Sequence, residues 1–337
     1  MTLEEGSEHP LAERFDTALL DLDGVVYVGP HAIDGVPGAL EEARRRGLRT
    51  AFVTNNASRP PEAVAAHLRE LGVPAEPQDV VTSAQAAATL LLDHVDPGAA
   101  VLVVGGEGLY AALRERGLRP VGSLDDDPAA LVQGFSPDVG WSQLAEGTFA
   151  VRRGLPWIAS NLDLTVPTPR GIAPGNGALV GVIRAATGAR PLAAAGKPEL
   201  ALHREAMRRS GARDPLVVGD RLDTDIEGAN RAGVPSLLVL TGVTGPDELL
   251  AADEQHRPTY VAADLSAGLL EPHPRVTGED RGWVCGAWRV TRRGDRVELA
   301  GAGPAIDALR ALCVAVWSGD VAVLAGAAAW AAATGAG

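Results

Sequence analysis

The stretch Thr17–Tyr27, TALLDLDGVVY, decides how the rest of the chain is read. Small and aliphatic residues lead into Asp21, Leu22, Asp23 and Gly24, so a short buried strand is expected to carry two acidic side chains out at its C-terminal end. Strand alternation sends Asp21 and Asp23 to one face and Leu22 back into the core, and Gly24 lets the chain turn tightly straight after. Two like charges so close require a cation near them.

Three further stretches repeat the pattern. RTAFV runs into Thr54, Asn55 and Asn56; AAAGKPEL carries Lys197; PLVVGDRLDTDIEGA sets Asp220 and Asp225 behind another aliphatic run. Polar groups that repeatedly follow aliphatic strands mark a site at the carboxyl ends of a parallel sheet.

In this order and with these spacings, the four blocks resemble the haloacid dehalogenase superfamily. They are closest in form to its phosphatases with a large α/β cap, which act on phosphoglycolate, glycerol 3-phosphate, nucleotides or p-nitrophenyl phosphate. The resemblance runs from about residue 15 to residue 265. It implies a Mg²⁺-dependent phosphatase working through an aspartyl-phosphate.

The resemblance gives each residue a role that its chemistry supports. Asp21 is the expected nucleophile, and a carboxylate attacks phosphorus only where the phosphate charge is neutralised by a metal and a lysine. Asp21, Asp220 and the carbonyl of Asp23 are the expected Mg²⁺ ligands. The Asp23 side chain serves as general acid, then as general base. The Thr54 hydroxyl, the Asn55 backbone amide and Lys197 bind phosphate, and Asn56 orders the loop. Asp225 is a second acceptor at the metal, a brace for Lys197, or an acid at a helix N-terminus.

Helical patterns alternate with strands along the chain: VPGALEEARRRGLR and PPEAVAAHLRELGV each return to an aliphatic strand, as a doubly wound sheet requires. From Ser83 a second α/β series begins, interposed between Thr54 and Lys197. The expected fold is therefore α/β: a doubly wound parallel-sheet core with an inserted α/β cap and a small α+β C-terminal domain. The boundaries read as core 12–82 and 191–272, cap 83–190, and C-terminal domain 278–337. Within the cap end, SNLDLTVPTPRGIAPGNGALVGVIRAATG has a counterpart in the resembled subfamily. It makes Asn161 and Asp163 candidates for contacts near the substrate or the core–cap hinge, with Gly171, Pro174, Gly175 and Gly177 shaping a loop.

Other chemistries are tested and fall away. Gly106, Gly108 and Ala111 fit a loose dinucleotide fingerprint, but SLDDDP only loosely supplies the acid expected further on. Ser136 lacks the second glycine of a nucleophile elbow. Past a Pro-containing, charged break at 271–281, the tail suggests a hairpin turning at RRGD and then an amphipathic helix. This layout resembles actinobacterial members of the family that carry a small acetyltransferase-like C-terminal domain, although the pyrophosphate loop of acetyltransferases is missing.

Glycerol 3-phosphate is the substrate this layout implies first, ahead of 2-phosphoglycolate, pyridoxal phosphate and nucleotides. The alternative outside enzymology is a regulatory or ligand-binding protein acting through the C-terminal domain. Deletion from Thr277 on is expected to leave turnover intact if the phosphatase reading holds. A net charge of -13 argues against nucleic acid or an anionic membrane as partner. The acidic, polar opening MTLEEGSEHP and two cysteines outside any metal spacing fit a cytoplasmic protein. A homodimer through the cap is possible.

Overall fold

The computed structural model describes residues 3–168, 170–279, 282–294 and 296–334. Asp295, the last residue of the RRGD stretch where a hairpin turn is expected, lies outside them. The chain divides into two compact units, one formed by the residues up to Thr50 and from Arg213 on, the other by Ala51–Ala212.

In the first unit, the strands Thr17–Leu20, Pro215–Gly219, Ser236–Val239 and Tyr260–Ala262 pair in that order, all parallel. Every residue in them is buried, which is why they carry no charged residue and do not alternate polar with apolar. The α+β C-terminal domain follows: an antiparallel meander of Val276–Glu279, Gly282–Cys285, Trp288–Arg293 and Arg296–Ala300, then the helices Ala305–Trp317 and Val323–Thr334. The hairpin expected near RRGD is present, with Arg293 opposite Arg296, and two further antiparallel pairs precede it.

The C-terminal domain is distinct in fold but shares its core. Leu309, Leu312, Cys313 and Val316 lie in one apolar cluster with Leu238, Leu249 and Val261 of the α/β part, and with Leu222 and Ile226. The helix Ala305–Trp317 is buried almost all round for this reason. Deletion from Thr277 would therefore uncover a core, and survival of turnover after that cut is no longer the expected result. The buried Arg310 adds a polar tie, donating from Nε and Nη2 to the Val261 carbonyl at 2.9 and 2.6 Å, and from Nη1 to Asp307 at 2.7 Å.

In the second unit, residues 52–54 of the strand Arg49–Thr54 pair in parallel with Val80–Thr82. A separate five-stranded parallel sheet has the order Ala193–Ala194, Trp157–Ala159, Ala130–Gln133, Ala100–Val104, Arg119–Val121. The helices Trp141–Arg152 and Asn176–Thr187 pack on one face of it, with Ile183 of the second helix in one cluster with Leu102, Leu131 and Trp157 of the strands. The helix Leu200–Ser210 is tied in by the buried Glu205, which accepts hydrogen bonds from Arg116, Arg208 and Arg209. Burial alone would raise the Glu205 pKa, but those guanidinium groups hold it below the usual carboxylate value.

Two readings change in detail. The segment expected to be a shaped loop contains an antiparallel hairpin, Thr165–Thr168 with Gly171–Pro174. Gly106 and Gly108 have a packing reason: a Cβ at Gly108 would lie 2.4 Å from the Ala57 carbonyl, and one at Gly106 would lie 3.0 Å from that of Ser58. Among the described residues, no helix is long and apolar enough to cross a membrane.

Candidate active site

Asp21 and Asp220 leave the ends of neighbouring parallel strands. Leu20 pairs with Val218, and the Asp21 amide donates to the Val218 carbonyl at 2.9 Å, so the two carboxylates emerge at nearly the same level. Leu22 points back into the core, 1% exposed, as alternation requires. Asp23 is exposed, at the start of a tight turn in which the Gly24 amide donates to the Tyr27 carbonyl at 2.8 Å.

Asp225 reaches the same place by another route. The segment after Asp220 opens on a wider π-type turn, Leu222–Ile226, and only Glu227–Ala232 is α-helical. The wide turn folds the Asp225 carboxylate back to accept from the Arg221 amide at 3.2 Å. Gly219 makes room for it, since a Cβ there would lie 2.1 Å from the Asp225 Cβ.

One oxygen from each of Asp21, Asp220 and Asp225 lies within 4.8 Å of the others, and Asp220 and Asp225 are each 1% exposed. Carboxylates this close repel one another, and a hard divalent cation relieves that repulsion. An all-oxygen donor set with one partly exposed member fits Mg²⁺, which keeps some of its waters. Among the described residues this is the one such grouping. The cluster contains Asp225, whose sequence reading as a second acceptor at the metal stood beside two others, and does not contain the Asp23 side chain.

Sequence reasoning missed the loop that holds Asp220. The Val243 amide donates to Asp220 Oδ2 at 2.7 Å, the Thr244 amide to the Asp220 carbonyl at 3.1 Å, and the Thr241 hydroxyl to the Gly24 carbonyl at 2.6 Å. Gly24 and Gly242 both lie against the Asp220 carboxylate. A Gly-rich stretch just beyond an aliphatic strand was the available signal.

In the second unit, the end of the Arg49–Thr54 strand is a polar junction centred on Asn55. Its Nδ2 donates to Asp163 Oδ2 at 3.1 Å and to the Lys197 carbonyl at 3.1 Å, and its Oδ1 accepts from the Lys197 amide at 2.7 Å. The Asn55 carbonyl accepts from Asn161 Nδ2 at 2.7 Å and from Ser83 Oγ at 2.5 Å. Asn55, Asn161, Asp163 and Lys197, four candidates far apart in sequence, are thus brought together. The Lys197 side chain is buried and its Nζ lies 3.4 Å from the Val53 carbonyl.

Asn56 bonds within its own loop, its Oδ1 accepting from the amide and hydroxyl of Ser58 at 2.8 and 2.7 Å. Its amide donates to Thr54 Oγ1 at 3.0 Å. Asn176 was not foreseen; its Nδ2 donates to the Asn161 carbonyl at 2.7 Å, fixing that segment against the following helix. Gly175 and Gly177 allow this approach, with Cβ positions only 2.4 and 2.2 Å from the carbonyls of Asp163 and Leu162.

This arrangement has close relatives. Residues 18–119 match the haloacid dehalogenase-like hydrolase family, residues 194–268 a second family model of such hydrolases, and residues 285–337 the GCN5-related N-acetyltransferase-like domain. The chain is 46% identical to D-glycerol 3-phosphate phosphatase of Mycobacterium tuberculosis, over 93% of this chain and 89% of that protein. It is 38% identical to an acid sugar phosphatase of Staphylococcus haemolyticus, over 75% of this chain and 95% of that one. The crystal structure of the M. tuberculosis glycerol phosphate phosphatase in complex with magnesium superposes with a TM-score of 0.84 at 45% identity, covering 92% of each chain. A p-nitrophenyl phosphatase of Archaeoglobus fulgidus gives 0.69 at 30% identity, over 75% of this chain and 97% of that one. With the aspartate cluster at the strand ends and this similarity along nearly the whole sequence, the chain belongs to the haloacid dehalogenase-like hydrolases.

Proposed function

We propose that the protein is a Mg²⁺-dependent phosphomonoester hydrolase whose substrate is glycerol 3-phosphate. The observation that carries this reading is the Asp21, Asp220 and Asp225 cluster in a chain 46% identical over 93% of its length to a D-glycerol 3-phosphate phosphatase. Asp21, Asp220, Asp225 and the Asp23 carbonyl are the groups that would hold Mg²⁺. When bound, the metal neutralises phosphate charge and favours attack by an anionic oxygen.

The residues then divide the reaction in two. A carboxylate oxygen of Asp21 attacks phosphorus as the bond to the leaving alkoxide breaks, giving an aspartyl-phosphate, and Asp23 gives its proton to the alkoxide. Asp23, now ionised, takes a proton from the water that attacks the acyl-phosphate, releasing inorganic phosphate and restoring the Asp21 carboxylate. The exposure of Asp23 suits both exchanges. Thr54, Asn55 and Lys197 act on the phosphoryl oxygens, where a flexible lysine meets charge from any direction. The side-chain bonds of Asn55 support this by fixing the strand end whose amides would donate. Asn161 and Asp163 brace that strand end, with Asn56 ordering the residues beyond it.

The same proposal includes the core, cap and C-terminal boundaries given above, a homodimer and a cytoplasmic location. Trp141 and Phe149, 82% and 50% exposed on one helix, support association through the cap. Two free, buried cysteines suit a reducing compartment.

The test is phosphate release from glycerol 3-phosphate, 2-phosphoglycolate, pyridoxal phosphate, UMP, a sugar phosphate and p-nitrophenyl phosphate, each with Mg²⁺ and with chelator. The highest kcat/KM is expected for glycerol 3-phosphate, with turnover abolished by chelation and by Asp21→Asn. A higher kcat/KM on the sugar phosphate would replace the substrate assignment. Turnover unaffected by Asp21→Asn would overturn the mechanism, and no turnover of any ester would turn attention to the C-terminal domain.

A further inference from the structure

We infer that the loop Thr241–Thr244 is the positioning element of the metal site, holding the Asp220 carboxylate in one orientation. The inference rests on the magnesium reading above and adds residues that reading does not use.

Asp220 sits at the end of a strand, where side-chain rotation alone would let its carboxylate turn away from Asp21. Two kinds of contact oppose this. The first is hydrogen bonding: Oδ2 accepts from the Val243 amide at 2.7 Å, and the backbone carbonyl of Asp220 accepts from the Thr244 amide at 3.1 Å. The second is steric. A Cβ at Gly242 would lie 1.9 Å from Asp220 Oδ2 and 2.5 Å from its Cγ, and a Cβ at Gly24 would lie 2.5 Å from the same Oδ2. The carboxylate is thus confined between two stretches of bare backbone.

The two walls are tied together. Thr241 Oγ1 donates to the Gly24 carbonyl at 2.6 Å, linking the loop to the turn that follows Asp21 and Asp23. A hydroxyl therefore links the segment that carries Asp21 to the loop that confines Asp220. Groups that orient a metal ligand without touching the metal commonly change affinity by about 10- to 100-fold when removed. Gly24 has φ +81°, so substitution there would add backbone strain; no such strain attends Gly242, where the steric effect can be read alone.

The experiment is calorimetric titration of Mg²⁺ into the chelator-treated full chain, with no substrate present, on Gly242→Ala, Thr241→Val, Thr241→Ser and Gly245→Ala. Gly242→Ala is expected to weaken Mg²⁺ binding by about 10-fold or more, and Thr241→Val by several-fold. Thr241→Ser keeps the hydroxyl and should bind as the unmodified protein does. Gly245→Ala is the control directly beyond the loop, since a Cβ there meets nothing within 4 Å. In turnover, the Mg²⁺ concentration for half-maximal rate should rise in Gly242→Ala while the KM for the ester at saturating Mg²⁺ stays near its original value.

Unchanged Mg²⁺ affinity in Gly242→Ala and Thr241→Val would overturn the inference while leaving the phosphatase reading intact. An equal loss in Thr241→Ser and Thr241→Val would also overturn it, since the hydroxyl would then not matter. Absence of Mg²⁺ binding by the unmodified protein would overturn it together with the magnesium reading. If Gly242→Ala fails to fold, as judged by the thermal transition without metal, the Thr241 pair decides.

Discussion

Replacing Arg310 with Met should destabilise the first unit by about 4 kcal/mol, because the guanidinium serves several buried acceptors at once. Arg310 is 5% exposed and meets the Val261 carbonyl, Asp307 Oδ1 at 2.7 Å and His273 Nδ1 at 3.1 Å. Breaking a buried ion pair from one side costs about 3–5 kcal/mol, since a charge is left buried with no counter-charge. An unsatisfied carbonyl or ring nitrogen adds about 1 kcal/mol or more each, offset by the apolar Met packing among the surrounding residues. With the added terms and that offset nearly cancelling, the sum lies near the middle of the ion-pair range, about 4 kcal/mol. Urea unfolding at pH 7 would measure it through tryptophan emission, because Trp283, Trp288, Trp317 and Trp330, four of the six tryptophans, lie in this part of the chain. The double variant Asp307→Leu with Arg310→Met removes both charges and should recover most of the loss, as replacement of whole buried pairs by apolar residues commonly does. A single variant within about 1 kcal/mol of the unmodified protein would refute the reasoning, as would a double variant no better than the single one.

His273 in the same network makes stability depend on pH. Burial first, and the Arg310 charge second, lower its pKa from 6.5 to about 4, so its ring stays neutral, accepting from Arg310 and donating to the Gly268 carbonyl. The unfolded chain takes up the proton at higher pH than the folded one, so this contribution of about 3 kcal/mol is complete above about pH 6.5 and lost as pH falls towards 4. Asp307, Glu271 and Tyr260 also surround this network; comparing His273→Gln with the unmodified protein between pH 7 and 4 isolates the histidine. Parallel stability curves for the two would sink the assignment. Burial also pushes the thiol of Cys285 up to about 12 and that of Cys313 upward, so neither should react with a thiol reagent at pH 8 until urea unfolds the chain. Labelling of the native protein on the scale of seconds would contradict the burial.

Much of the catalytic centre was legible because it is local. Asp21 and Asp23 stand two residues apart after a short aliphatic strand, and Asp220 directly follows another. Such patterns declare strand ends without knowledge of their neighbours. The aliphatic runs that lead into Thr54 and Asp220 were equally plain, since strands buried on both faces need no polar alternation. Asp225 was harder: whether it joins a metal cluster or caps a helix depends on a wide turn that differs from an α-helix by one hydrogen-bond register. Asn55 was assigned through its backbone, yet its side chain makes the long-range bonds, to partners more than a hundred residues away. The C-terminal domain illustrates the same limit, because its composition and Pro-containing break suggested separation while its helix packs into the core of the α/β part.

The sequence by itself determined which acids, amides and lysine follow strands, and therefore the chemistry those strand ends can perform. It also determined the parallel α/β class, because the alternation of aliphatic strands and amphipathic helices admits few other packings. Tertiary structure alone decided which of these groups meet: the register of Leu20 with Val218 that brings Asp21 beside Asp220, the wide turn that returns Asp225, and the bare backbone of Gly24 and Gly242 around the Asp220 carboxylate. The physical reason is range. Strand and helix patterns arise from neighbours a few residues apart, whereas the placement of a carboxylate to within an ångström is set by atoms from segments about two hundred residues distant in the chain.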